Sequence, residues 1–178
     1  MAEASGAARS AVGSALEDIR PDLVVFDYAQ SIASAPDPIG APSVLFAHNV
    51  ETEILQRHSK ASAGLRRLVW GREAAKMARF ERMAAKRVDA VVAVSERDAG
   101  AFLKMGARYV GAIPTGVDCD YFSFAPPGDD ASPVVVFTGS LDWKANQDGL
   151  AWFMDEVWPA IASARADASF VVIDKAGE

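Results

Sequence analysis

Asp89-Ala90-Val91-Val92-Ala93-Val94-Ser95, with Glu96 to Met105 and Gly106 behind it, decides the fold class of this chain. An unbroken apolar run from Ala90 to Val94 suits a strand covered on both faces, since a half-solvated strand alternates apolar and polar residues. A serine at a strand's end can accept a backbone N–H from the first turn of a helix, so Ser95 predicts a helix over Glu96 to Met105. Gly106 is a natural stop, and Tyr109 to Ile113 is strand-like again. Strand, helix, strand is the repeating unit of a parallel sheet.

The same grammar extends in both directions. Ala8, Val12, Ala15, Leu16 and Ile19 recur at helical spacing until Pro21 stops the pattern, and Leu23 to Phe26 is a second buried strand. After a proline-rich loop from Ser34 to Pro42 comes the strand Val44 to Ala47, which ends at His48-Asn49-Val50-Glu51. Leu65 to Val88 lacks proline and is rich in good helix formers, so it predicts a long helix. Downstream, Pro114-Thr115-Gly116-Val117-Asp118 is a tight loop and Ala125 to Asp130 has the composition of a linker. Strand Val134 to Phe137, a helical stripe of Leu150, Phe153, Met154, Val157 and Ile161 with a kink expected at Pro159, and strand Phe170 to Ile173 follow. The expected architecture is α/β with Rossmann-like parallel sheets: a first domain over 1–124, a linker over 125–132, and the opening of a second domain over 133–178. Two strands and one helix cannot cover both faces of their own sheet, so this second domain reads as incomplete.

Composition narrows the classes. Hydrophobic residues make up 51% of the 178, enough for a buried core, and no apolar run approaches a bilayer-spanning length. The start carries Glu3 before any basic residue and no continuous apolar stretch, unlike a secretory signal, and the lone Cys119 can form no internal disulfide. Cytoplasmic residence is the resulting expectation. The net charge of -6 is unevenly spread: Arg57 to Arg87 carries ten basic residues against Glu73 and Glu81. An acidic body with one basic segment argues against nucleic-acid binding; the segment is either a solvated helix face or a surface attracted to anionic lipid or a phosphorylated acceptor.

In open parallel sheets, ligands collect beyond the carboxyl ends of the strands, where His48, Ser95, Thr115 and Gly139 all fall. Thr138-Gly139-Ser140 before a helix lets backbone approach a diphosphate, or is an ordinary strand-to-helix turn; no complete G-x-G-x-x-G is present. His48 either meets a sugar or is a loop histidine bonded to backbone, while His58 reads as merely exposed. Glu51 and Glu53, two apart, do not share a helix face and make no acid/base pair, leaving Glu51 to cap or orient. Trp143, Trp152 and Trp158 read as packing residues, with Trp143 also placed to stack on a base.

Four segments in order, Leu45 to Glu51, Arg87 to Ser95, Ile113 to Asp118 and Phe137 to Asn146, resemble family-4 glycosyltransferases, most nearly the sugar transferases of bacterial exopolysaccharide systems. The resemblance runs from about Pro21 to Ile173 and implies a GT-B enzyme: two Rossmann-like domains across a cleft, a nucleotide-sugar bound mainly by the second, and transfer of a hexose with retention to a lipid-linked or polysaccharide acceptor. It implies no cofactor or metal. It makes His48 the catalytic candidate, Asn49, Glu51, Ser95, Thr115, Gly116 and Asp118 cleft-lining, and Gly139, Ser140, Lys144 and Asn146 donor-binding.

The chain departs from the family where charge is expected: Ser140 and Asn146 stand where many relatives carry Arg and Lys, and Asp174-Lys175 precedes Gly177 where a glycine follows the strand directly. The family's first glycine-rich loop and its downstream acidic pair have no counterpart, which implies truncation at both ends. A non-catalytic α/β binding or assembly module derived from such an enzyme is the alternative expectation, and nothing favours a nucleotide-sugar epimerase.

Overall fold

The computed structural model describes residues 6–126 and 132–174. The chain divides into two units, Met1–Val117 and Asp118–Glu178. Of the expected linker over 125–132, residues 127–131 lie outside the described residues, as do Lys175 and Gly177.

In the first unit, helix α1 (Gly6–Ile19) precedes strand β1 (Val24–Asp27), a 3-10 segment (Ala29–Ser34) and strand β2 (Ser43–Ala47). Helices α2 (Glu51–Ala61) and α3 (Gly64–Arg87) lead to strand β3 (Ala90–Ala93), and helix α4 (Glu96–Met105) to strand β4 (Tyr109–Ala112). The four strands are parallel in the order β1-β2-β3-β4. Each crossover therefore steps the same way along the sheet, and the right-handed rule puts the intervening helices on one face.

Register shows which residues face those helices. Phe26, Leu45, Val91 and Val110 form one row and Ala47, Ala93 and Ala112 the next; Leu45, Val91 and Ala93 are fully buried. Above them α3 presents Ala84 and Ala85, small enough for close approach, and Phe102 of α4 fills the core. On the opposite face Val44, Phe46 and Val92 are half-buried and Val25 is exposed, so strands expected to be covered twice are closed on one side among the described residues. Asp89 ties β3 to β2: its carboxylate accepts the Ser43 N–H at 2.9 Å and hydroxyl at 3.0 Å, bonds that hold it below the usual aspartate range.

Local stops behave as their chemistry requires. The Ser95 hydroxyl accepts the Asp98 N–H at 3.1 Å, and Gly106 ends α4 at φ 98°, a left-handed conformation open to glycine. Helix α2 was not anticipated; its cause lies in Glu81, described below.

In the second unit, strands β5 (Val134–Thr138) and β6 (Ser169–Ile173) pair in parallel. Between them run helix α5 (Lys144–Trp152), a π-helical turn (Phe153–Val157) and helix α6 (Trp158–Ala164). The kink expected at Pro159 takes this form because proline offers no N–H to continue the ladder. The Trp158 N–H reaches back to the Phe153 carbonyl, and Pro159 sits in the first turn of α6. Phe153, Trp158 and Phe170 pack together with ring centroids 4.9 to 6.5 Å apart. Trp158 thus packs as expected, whereas Trp143 and Trp152 are 64% and 61% exposed and do not.

Candidate functional site

The carboxyl ends of β1 to β4 bring Asp27, His48, Ser95 and the segment after Ala112 to one edge of the first sheet. Adjacent strands carry the first two, and there the side chains meet: His48 Nε2 lies 2.6 Å from Asp27 Oδ1. A carboxylate accepts, so Nε2 carries the hydrogen, and in a neutral ring Nδ1 is then an acceptor. The Tyr28 ring stacks on the imidazole at 4.4 Å and Phe46 meets it edge-on at 4.7 Å. His48 is thus fixed by an aspartate and two aromatic rings, not by backbone, while about a third of its side chain stays exposed.

The stacking depends on an unusual backbone. Tyr28 adopts φ 71° and ψ 144°, a region rarely occupied by residues with a side chain, while its N–H donates to the Phe46 carbonyl at 3.2 Å. A strained residue persists only where its surroundings over-determine it, and such residues gather at functional sites.

The far side of the His48 loop is fixed by Glu81 of α3, which is wholly buried. Its carboxylate accepts the Glu51 N–H at 2.7 Å, the Thr52 N–H at 3.2 Å and the Thr52 hydroxyl at 2.5 Å. Helix α2 has no side-chain cap of its own at Val50, so a residue 30 positions away satisfies its first donors. Burial pushes the Glu81 carboxyl above the usual glutamate range although these donors pull the other way. Glu51, expected to cap or orient, is itself the capped residue. Glu53 in the same turn pairs with Arg97 and lies 3.8 Å from Arg57, and Asn49 is exposed beside His48.

The other expected residues are placed as follows. Ser95 spends its hydroxyl on the α4 cap. Thr115 and Gly116 are exposed in the loop after β4. Asp118, the first residue of the second unit, closes a turn by accepting the N–H groups of Asp120 and Tyr121, each at 3.0 Å.

After β5, Gly139 allows a close approach: a Cβ there would stand 2.9 Å from Asn146 Nδ2. That amide donates to the Ser140 carbonyl at 2.8 Å, so Gly139 and Asn146 together shape the strand-to-helix turn. The Ser140 hydroxyl bonds Asp142, Lys144 pairs with Asp148 at 2.5 Å, and the Leu141 N–H donates to Asp174 at 3.0 Å. Trp143 stands exposed directly before α5.

A depression of about 640 Å³ lined by α1, Pro21 and residues 36 and 38–41 opens at the amino ends of β1 and β2, the end opposite His48. His58, expected to be exposed, is so, with its ring stacked on Trp70 at 5.0 Å. Sequence reasoning overlooked Asp27, Tyr28 and Glu81. Asp27 was within reach, as the polar residue closing a buried strand, the signal that singled out His48. Glu81 sits inside a charged helix and carries no local mark.

The sequence profile of Glycosyltransferase Family 4 matches residues 3–121, two thirds of the chain. No curated protein matches it.

Proposed function

We propose, from the premise that this chain belongs to glycosyltransferase family 4, that it serves transfer of a hexose from a nucleotide-sugar donor to a lipid-linked or growing polysaccharide acceptor, with retention of anomeric configuration. The observation that carries this reading is His48, held by Asp27 and Tyr28 at the carboxyl edge of a parallel sheet with Nδ1 left over. Breaking a sugar–diphosphate bond builds positive charge on the sugar and negative charge on the leaving group. Fixed dipoles and donors aimed at those charges lower the barrier because they need not reorganise. Nδ1 of His48 accepts a sugar hydroxyl, and the Asp27 carboxylate compensates charge developing on the ring. The turn Gly139–Asn146 is the diphosphate-side candidate, with Lys144 its cation. Asn49, Glu51, Ser95, Thr115 and Gly116 would line the approach on the first unit, and Asp118 is a separate candidate on the second.

A polysaccharide or lipid-linked acceptor agrees with work at the inner face of a membrane. No described helix is long and apolar enough to cross one; the contact proposed is peripheral, through Arg57–Arg87.

A second reading, a non-catalytic binding or assembly module, is favoured by one observation: Ser140 and Asn146 engage partners within the turn, and Lys144 pairs with Asp148 of α5. Calorimetric titration with uridine and guanosine diphosphates separates the two. Saturable heat supports the transferase reading; none at millimolar ligand leaves the module.

A further inference from the structure

We propose that the outward face of α3 lies flat on an anionic lipid bilayer, with Leu65, Leu68 and Val69 entering the headgroup boundary and Arg72, Arg79 and Lys86 set against lipid phosphates. This deepens the membrane contact named above and rests on that part of the reading, not on donor binding.

Helical residues advance by about 100° each, so positions 65, 68, 69, 72, 76, 79, 83 and 86 share one side of α3. Every one of them is exposed. The opposite side carries Ala74, Glu81 and Ala85, which are buried against the body. The polarity is the reverse of an ordinary surface helix, whose large apolar residues turn inward. Leu65, Leu68, Val69 and Met83 are 76%, 65%, 52% and 42% exposed. With 24 residues the helix is about 36 Å long, and its outward stripe holds cations but no acid: Glu81 is buried, and Glu73 points to the flank, paired with Lys76 at 2.7 Å.

Among the described residues no ion pair engages Arg72, Arg79, Arg82 or Lys86, so their charge is available to an external anion. Several of them surround an open depression of about 570 Å³ lined by Asp37, Arg79, Arg82, Met83, Lys86 and Arg87. Arg87 is anchored by the carbonyls of Ile32, Ala35 and Pro36 and gives that depression a fixed wall, while Arg79, Arg82 and Lys86 supply the phosphate contacts. Apolar side chains at one end of a cationic stripe match a bilayer interface, where the first enter the acyl boundary and the second meet anionic headgroups. A purely ionic partner would leave Leu65 and Leu68 without a role.

Co-sedimentation with vesicles of phosphatidylglycerol and phosphatidylcholine in equal parts, and of phosphatidylcholine alone, tests the proposal on the full chain. Binding is expected only to the anionic vesicles. The pair Arg72→Glu and Arg79→Glu should lower partitioning about a hundredfold at low salt, with the difference shrinking as salt is added. The pair Leu65→Ser and Leu68→Ser should lower it about tenfold at every salt concentration. Circular dichroism checks that α3 persists, and Arg72→Gln with Arg79→Gln replaces any variant that unfolds. Equal binding to neutral and anionic vesicles, or partitioning that neither pair alters, overturns the proposal. So does absence of vesicle binding with Leu65→Ser and Leu68→Ser converting a dimer to a monomer, which would assign the face to a second copy. Heats with nucleoside diphosphates should not change in these variants; vesicle binding without any such heat would count against the transferase reading alone.

Discussion

Tyr28 is held at φ 71°, where a side chain costs about 1–3 kcal/mol, and its ring rests on His48. The two effects can be separated by substitution. Tyr28→Ala removes the ring but keeps the strain, whereas Tyr28→Gly removes both. We therefore predict that the glycine variant is more stable than the alanine variant by about 1 kcal/mol, measured by urea denaturation. Equal stability would mean that the backbone relaxes and stores nothing. Nothing in Phe26-Asp27-Tyr28 announces this conformation, because non-glycine residues enter it only when the fold compels them.

Glu81 gives a second prediction at the same scale. Glu81→Ala strips the start of α2 of its acceptor and should cost about 2–3 kcal/mol. Burial holds the carboxyl above its ordinary value of 4.5. An acid that keeps its proton more tightly when folded contributes stability below its unfolded pKa and loses it as pH rises through the folded one. The denaturation midpoint of the natural chain minus that of Glu81→Gln should therefore fall as pH rises from about 4.5. A difference that rises with pH would contradict the assigned direction.

At the scale of elements, legibility followed locality. Helix α4 was readable because its cap Ser95 and its stop Gly106 adjoin it in sequence. Helix α2 was not: its first turn lacks a local cap, and the carboxylate that satisfies it comes from α3. The turn after β5 was readable as a close approach through Gly139, but what approaches is Asn146 of the same turn. The two should therefore be coupled. Gly139→Ala must push the Asn146 amide off the Ser140 carbonyl and should cost about 1 kcal/mol or more, and less once Asn146→Ala has removed the obstacle. A double-mutant cycle read by thermal unfolding measures this; strict additivity would show that Phe137, 3.4 Å away, sets the cost instead.

For the whole molecule, the order of strands, helices and polar strand ends was sufficient to place the chain among α/β glycosyltransferases, and the family match over residues 3–121 agrees with that order. Which groups meet at the strand ends was less accessible, because Asp27 and His48 come together through the pairing of β1 with β2 and are 21 residues apart in sequence. The basic segment was visible as a count of charges. Only the fold shows that several of its cations and four apolar residues share the exposed side of one helix.

The central claim is that His48 meets the sugar. Calorimetric titration of the natural chain, His48→Ala and Asp27→Asn with a uridine- or guanosine-diphosphate hexose, and with the matching nucleoside diphosphate, tests it most directly. We predict saturable heat for both ligands with the natural chain. Either substitution should weaken the nucleotide sugar about tenfold, the cost of about one hydrogen bond to a partly charged partner, and leave the diphosphate unchanged. Equal affinities for the nucleotide sugar in all three proteins would contradict the claim.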